Sequence, residues 1–204
     1  MGDDLILVID LDGTLISEES IRKIYEESYY KTLEIMEKRG HKIRKKFRNH
    51  SFQNYRAISN MYRDKDFDKI YINVFLTVLE KYLHRIVEMD IERARNIYFQ
   101  LVYSYSPRDV FILTANPGGR LILRELIPEI PQDKIVIVSG TRYVEEKKNV
   151  LEKLKSFGKV LYIADKDDID AETANRAGVN YININSLVSC LNSRNIKLCD
   201  FKYK

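Results

Sequence analysis

Short apolar, β-rich runs that alternate with helical segments dominate the second half of this sequence. The runs lie at 110–113, 135–138, 160–163 and 181–184, and helical segments are predicted near 118–127, 143–156, 170–177 and 186–193. One more apolar run, at 5–9, begins the chain. Five strands joined by helices are typical of a parallel, doubly wound sheet, so the sequence predicts a Rossmann-like α/β fold.

The segment 17–106 has a different pattern. The four prolines of the chain all lie beyond it, and Gly40 is its only glycine. Its apolar residues recur at helical spacing, which predicts several amphipathic helices. We therefore predict an all-helical domain at 17–106, inserted after the first strand, and a Rossmann-like core formed by 1–16 and 107–204.

The composition is that of a globular protein. Of 204 residues, 45% are hydrophobic and 31% are charged, which is an ordinary balance. The sequence shows no apolar run long enough for a membrane span and no signal-peptide pattern. Cys190 and Cys199 form neither a disulfide framework nor a metal-binding pattern. These features predict a cytoplasmic protein without a membrane partner.

Two carboxylates follow the first predicted strand directly. Asp10 and Asp12 are two residues apart, and Gly13 ends the strand just beyond them. Ligands bind at the carboxyl ends of strands in open α/β sheets, so this pair is a candidate site. The alternative is an ordinary acidic turn, and side chains elsewhere on the same edge decide between the two.

Other reactive side chains are predicted at the same sheet edge. The second strand ends at Thr114, with Asn116 just beyond it, and the fourth ends at Asp165. Lys147 and Lys148 lie near the start of the helix after the third strand. Carboxylates, a hydroxyl and a cation would then share one crevice, a combination that suits phosphoryl transfer.

Phosphoryl transfer gives each of these side chains a role. Asp10, closest to the strand, is the predicted nucleophile that forms an aspartyl-phosphate, and Asp12 is the predicted general acid and base. We expect Mg²⁺ to be held by Asp10, Asp165 and the backbone carbonyl of Asp12. A lysine and the hydroxyl of Thr14 or Thr114 would neutralise and orient the phosphate oxygens.

These motifs resemble those of the haloacid dehalogenase-like phosphohydrolase superfamily. The first motif of that superfamily matches Asp10 to Thr14, and its second, a strand ending in Thr or Ser, matches Thr114. Its third motif, a lysine, matches Lys147 or Lys148, and its fourth, an acidic pair after a strand, matches Asp165 with Asp170. The resemblance covers 1–16 and 107–185, and an insert after the first motif is similar to a C1 cap in a phosphoglycolate phosphatase-like layout. It implies a Mg²⁺-dependent phosphatase, and we expect a small phosphorylated metabolite as its substrate because a cap of this size would restrict access to the site.

Some assignments within these motifs stay open. Lys147 and Lys148 compete for the role of active-site lysine, and the spacing to the following apolar residues favours Lys147 modestly. In the acidic pair that begins with Asp165, the second acid is Asp170 or Asp168, and alignment through the helix that follows favours Asp170. Its predicted role is to bind the metal directly or to support a residue that does. Asn116 is a candidate substrate contact, or it caps the next helix.

The insert carries the excess positive charge of the chain. It has 18 Lys and Arg against 13 Asp and Glu, and its most basic run is 41–48. We interpret that run as a solvated surface and do not expect nucleic acid as a partner. A phosphatase for nucleotides or nucleic acid ends is one alternative, and a non-catalytic binding protein on a phosphatase fold is another. One or two of the tyrosines in the insert could face the crevice, and the sequence does not say which.

Overall fold

A single sheet of five parallel strands organises the computed structural model, which describes residues 4–63, 66–138 and 142–187. The strands are β1 (Leu5–Ile9), β2 (Asp109–Thr114), β3 (Ile135–Ile137), β4 (Lys159–Ala164) and β5 (Asn180–Asn183). Their order in the sheet is β3-β2-β1-β4-β5, and every pairing is parallel. The predicted Rossmann-like α/β fold is confirmed.

The central strand β1 is buried along its whole length. Its sequence Leu-Ile-Leu-Val-Ile is apolar throughout because both faces of a parallel sheet are covered. It pairs with β2 on one side and β4 on the other, so the strand order reverses at this point. A crevice forms at the carboxyl ends of strands where the order reverses, and the end of β1 leads straight into Asp10.

Helices connect the strands and fill the segment between β1 and β2. They are α1 (Glu18–Lys38), α2 (Phe52–Met61), α3 (Phe67–Tyr105), α4 (Gly119–Leu126), α5 (Tyr143–Lys155) and α6 (Asp170–Ala177), with short 3₁₀ turns at Lys45–Arg48 and Gln132–Lys134. Within the described ranges, no helix combines the length and the apolar character that a membrane crossing requires. The helix predicted near 186–193 lies mostly outside the described residues, as do both cysteines.

The longest element, α3, runs for 39 residues without a break. No proline or glycine interrupts it, and at a rise of about 1.5 Å per residue it spans about 58 Å. One part packs against α1, and another packs against α4 at the sheet. A continuous apolar cluster joins the two contacts, from Ile24 of α1 through Phe75 and Leu79 of α3 to Ile9 of β1. The insert and the sheet therefore share one hydrophobic core. That residues 17–106 form a separate domain stays a prediction.

Helix α3 also fixes the loop that follows the paired aspartates. The buried carboxylate of Asp90 accepts hydrogen bonds from the Ser17 backbone N–H at 3.0 Å and from the Ser20 hydroxyl. The guanidinium of Arg93 donates to the backbone carbonyls of Gly13 and Thr14, at 3.4 and 3.2 Å. Since this loop begins one residue after Asp12, the long helix helps to set where that carboxylate lies.

Candidate active site

Asp10 lies at the base of the crevice, directly after β1, and only 6% of its surface is exposed. One carboxylate oxygen accepts the backbone N–H of Leu11 at 2.9 Å, and the other accepts the ammonium of Lys147 at 3.0 Å. Burial raises the pKa of Asp10 to about 7, although the Lys147 charge acts in the opposite direction. The predicted nucleophile is thus a buried carboxylate that depends on one cation for its charge.

The structure places Lys147, and not Lys148, beside Asp10. The Lys147 ammonium also contacts Asp170 at 3.3 Å and the hydroxyl of Tyr162 at 3.0 Å. Burial alone disfavours the ammonium, but the neighbouring Asp10, Tyr162 and Asp170 raise the pKa of Lys147 well above its usual value. Lys148 instead pairs with two glutamates on the outer face of α5, Glu145 and Glu152.

Tyr162 is a buried member of this group that the sequence did not single out. It lies within β4, and its hydroxyl donates to Asp170 at 2.8 Å as well as accepting from Lys147. Burial raises the pKa of this phenol well above its usual value, so it remains a hydrogen-bond donor. Its neighbours in sequence are apolar strand residues, and nothing in their pattern marks the hydroxyl as part of a site.

Asp12 is held by a hydrogen bond on each carboxylate oxygen. The hydroxyl of Tyr25, on α1 of the insert, donates to Oδ2 at 2.6 Å, and the amide of Asn116 donates to Oδ1 at 2.8 Å. Burial raises the pKa of Asp12, and both hydrogen bonds act in the opposite direction. Asn116 is buried and also accepts the Gly118 backbone N–H at 2.9 Å, so it lies against Asp12 and the start of α4 rather than on the cavity wall.

The two candidate threonines lie in different surroundings. Thr114, at the end of β2, lines the cavity, and its hydroxyl oxygen accepts the Asn116 backbone N–H at 3.0 Å. Thr14 is fully buried, and its hydroxyl has no hydrogen-bond partner among the described residues. Thr114 is therefore the threonine that can reach a ligand in the cavity directly.

Three carboxylates form a group that could hold a metal ion. Asp10, Asp165 and Asp170 each offer one oxygen, and these oxygens lie within 4.8 Å of one another. In the part of the chain that the structure describes, the buried Oδ1 of Asp165 has no hydrogen-bond partner, and burial raises the pKa of this carboxyl. Such a set of oxygen donors fits Mg²⁺, a hard cation. Asp168 is exposed and stands outside the group.

Metal binding predicts a stability difference between Asp165→Asn and the wild type. With Mg²⁺ at 100 times its Kd, we expect the wild-type free energy of unfolding to rise by about 2.7 kcal/mol. The rise should be largely absent in Asp165→Asn because a neutral amide is a weaker ligand for a hard cation. Thermal unfolding with Mg²⁺ and with EDTA measures this. Asp168→Asn is the control, because Asp168 also lines the cavity but lies outside the group of three carboxylates. Equal stabilisation of both variants would contradict the assignment.

A cavity of about 600 Å³ opens above these residues, between the sheet edge and the insert. The insert contributes one wall: Glu18, Ile21, Arg22, Tyr25, His50, Tyr55, Tyr71 and Ile72. The core contributes Asp10, Asp12, Thr114 and Lys147 to the opposite wall. Lys166, which also lines the cavity, forms an ion pair across it with Glu18 of the insert at 3.6 Å. No residue of the basic run 41–48, all of which is described, lines this cavity.

Comparison with known proteins finds no family model that matches this sequence and no curated protein that matches it. Two solved structures resemble the chain over most of its length. The UTR4 protein of Saccharomyces cerevisiae is 15% identical, with 86% of this chain and 87% of that chain covered and a TM-score of 0.43. A hydrolase from Streptococcus pneumoniae TIGR4 is 19% identical, with 93% and 99% covered and a TM-score of 0.39. The parallel five-stranded sheet with the order β3-β2-β1-β4-β5 establishes the fold class independently of these two structures.

Proposed function

We propose that this protein is a cytoplasmic, Mg²⁺-dependent phosphatase of the haloacid dehalogenase-like superfamily, with the helical insert as a C1 cap. It would hydrolyse a small phosphorylated metabolite through an aspartyl-phosphate at Asp10. The observation that carries this proposal is a buried Asp10 that pairs with Lys147 and is grouped with Asp165, whose Oδ1 has no hydrogen-bond partner among the described residues. A carboxylate nucleophile, a fixed cation and spare oxygen ligands are what attack on a phosphate dianion requires.

In the first step, a carboxylate oxygen of Asp10 attacks phosphorus and forms a new P–O bond. The ester P–O bond breaks, and Asp12 gives its proton to the departing oxygen. Lys147 stays protonated throughout and offsets the negative charge beside Asp10. Bound Mg²⁺, held by Asp10, Asp165 and the backbone carbonyl of Asp12, with Asp170 as a further ligand or behind one, would neutralise charge on the phosphate oxygens.

In the second step, water attacks the phosphorus of the aspartyl-phosphate. Asp12, now a carboxylate, accepts a proton from that water, and the bond between phosphorus and Asp10 breaks. Inorganic phosphate leaves and Asp10 is restored as a carboxylate, so each residue returns to its starting state. The raised pKa of Asp12 suits a group that gives and takes a proton within one cycle.

The size of the cavity favours a small-molecule substrate. Its volume, about 600 Å³, lies within the range of about 300–1,000 Å³ that is typical of small-ligand sites. Phosphate esters on nucleotides or nucleic acid ends are the alternative that the basic run 41–48 raised. That run lies away from the cavity wall, so the geometry favours the small metabolite.

Hydrolysis of p-nitrophenyl phosphate, with Mg²⁺ and with EDTA, tests the proposed function. We expect metal-dependent turnover in the wild type and a loss of at least about 10⁴-fold in Asp10→Asn, since an amide cannot replace the nucleophile. Asp133→Asn, an exposed aspartate, is the matched control and should keep full activity. A folded protein that binds Mg²⁺ but turns over no phosphorylated compound would contradict the proposal and favour the non-catalytic binding protein.

A further inference from the structure

The insert supplies a side chain to the reactive centre itself. Tyr25 lies on α1, and its hydroxyl donates to Oδ2 of Asp12 at 2.6 Å. Its ring packs against Phe75 of α3, with ring centroids 5.1 Å apart. A helix of the insert, and not of the Rossmann-like core, therefore contacts the predicted general acid Asp12.

The opposite oxygen of Asp12 has a fixed partner. The Asn116 oxygen accepts the Gly118 backbone N–H, which turns the amide NH₂ of Asn116 towards Oδ1 of Asp12. An amide NH₂ can only donate, so Oδ1 acts as an acceptor in this arrangement. Tyr25 lines the cavity and Asn116 does not, so Oδ2, the oxygen that Tyr25 contacts, is better placed to carry the transferred proton.

Oδ2 has room for a second partner. A carboxylate oxygen has two lone pairs, and Tyr25 uses one of them. The other can carry the proton that passes to a leaving-group oxygen in the cavity, which both Asp12 and Tyr25 line. Tyr25 and Asn116 together stop the carboxyl from rotating, so that Oδ2 keeps one direction.

We propose that Tyr25 is a positioning residue for Asp12, so that the leaving group is protonated efficiently only when α1 is seated against the core. This inference rests on the proposed phosphatase function. The seating of α1 has a visible basis, because its N-terminal Ser17 and Ser20 both hydrogen-bond to the buried Asp90 of α3. Tyr25 follows Ser17 by about two helical turns, so movement of α1 would carry its hydroxyl away from Asp12.

The dependence of the rate on the leaving group tests this role. p-Nitrophenolate leaves without a proton, whereas an alkoxide needs one, so only alkyl phosphates require an aligned acid. We expect Tyr25→Phe to lower kcat/KM for benzyl phosphate by about 10- to 100-fold and kcat/KM for p-nitrophenyl phosphate by less than about threefold. The ratio kcat/KM is the measured quantity because it reports formation of the aspartyl-phosphate, whereas kcat also includes its hydrolysis, in which Asp12 acts as base for both substrates.

Tyr29→Phe is the matched control. Tyr29 lies on the same helix, is fully buried, and donates to the Phe47 backbone carbonyl at 2.7 Å, away from the cavity wall. The Tyr29→Phe variant loses a buried hydrogen bond comparable to the one lost in Tyr25→Phe. A purely structural effect should therefore appear in both variants. We expect its ratio of alkyl to aryl turnover to equal that of the wild type.

Two outcomes would overturn the inference. One is an equal loss on both substrates in Tyr25→Phe, which would show that the hydroxyl only supports the fold. The other is unchanged turnover of benzyl phosphate in that variant. A wild type that hydrolyses neither substrate, or an Asp10→Asn variant that stays active, would instead overturn the proposed function, so the two failures are distinguishable.

Discussion

Lys147→Met should both destabilise the protein and abolish turnover. The substitution removes the cation that lies 3.0 Å from Asp10 and 3.3 Å from Asp170, and both carboxylates are buried. Breaking a buried ion pair from one side costs about 3–5 kcal/mol because an uncompensated charge remains in the interior. We expect a loss of that size in urea unfolding, and hydrolysis of p-nitrophenyl phosphate below detection.

Lys148→Met provides a closely matched comparison. Lys148 is the next residue in the same helix, but its side chain is 21% exposed against 4% for Lys147, and its glutamate partners lie near solvent. Exposed ion pairs contribute about 0–1 kcal/mol, so this variant should keep its stability and its activity. Similar effects in the two variants would contradict the placement of Lys147 at the site.

Gly13→Ala is the second substitution with a large expected effect. Gly13 has φ of +77°, and a Cβ added there would lie 2.1 Å from Oδ2 of Asp165. Asp165 must therefore move, and with it one of the three carboxylates that could hold Mg²⁺. A misplacement of about 1 Å costs about 10²-fold in rate, so we expect at least that loss of kcat/KM in aryl phosphate hydrolysis.

Gly40→Ala is the control for Gly13→Ala. It introduces the same strain of a left-handed backbone but no collision with Asp165. Gly40 has φ of +86°, and nothing lies within 4 Å of a Cβ built there. The left-handed backbone costs an L-residue about 1–2 kcal/mol, so both variants should lose about that much stability. Only Gly13→Ala should lose Mg²⁺ affinity, measured by titration, and activity. Equal activity in the two would contradict a metal site at Asp165.

The sheet, and the edge at which the candidate site residues lie, could be predicted because both depend on short-range patterns. Apolar runs gave the five strands, and parallel strands necessarily end at one edge, which brings Asp10, Thr114 and Asp165 together. Helix α3 is longer than the periodicity alone indicates. No proline or glycine interrupts 67–105, so α3 continues through it as one helix, and α1, α2 and α3 together form the several helices predicted at 17–106.

The contacts of Tyr25 and Tyr162 could not be predicted because they depend on how whole elements pack. Whether Tyr25 or another tyrosine of the insert reaches Asp12 depends on how α1 is rotated and seated on the core. Tyr162 looks like any aromatic residue in a buried strand, and only the packing of α5 brings Lys147 to its hydroxyl. The choice between Lys147 and Lys148 had the same difficulty, since a rotation of about 100° along the helix separates a buried site from solvent.

The central claim, a covalent phosphate on Asp10, can be measured directly. Wild-type protein with Mg²⁺ and p-nitrophenyl phosphate would be quenched in acid during turnover, digested, and analysed by mass spectrometry for the peptide that contains Asp10. We expect a phosphorylated aspartate at that position, and no such modification in Asp10→Asn. Steady turnover without a phosphorylated peptide, or phosphate on a different residue, would contradict the mechanism.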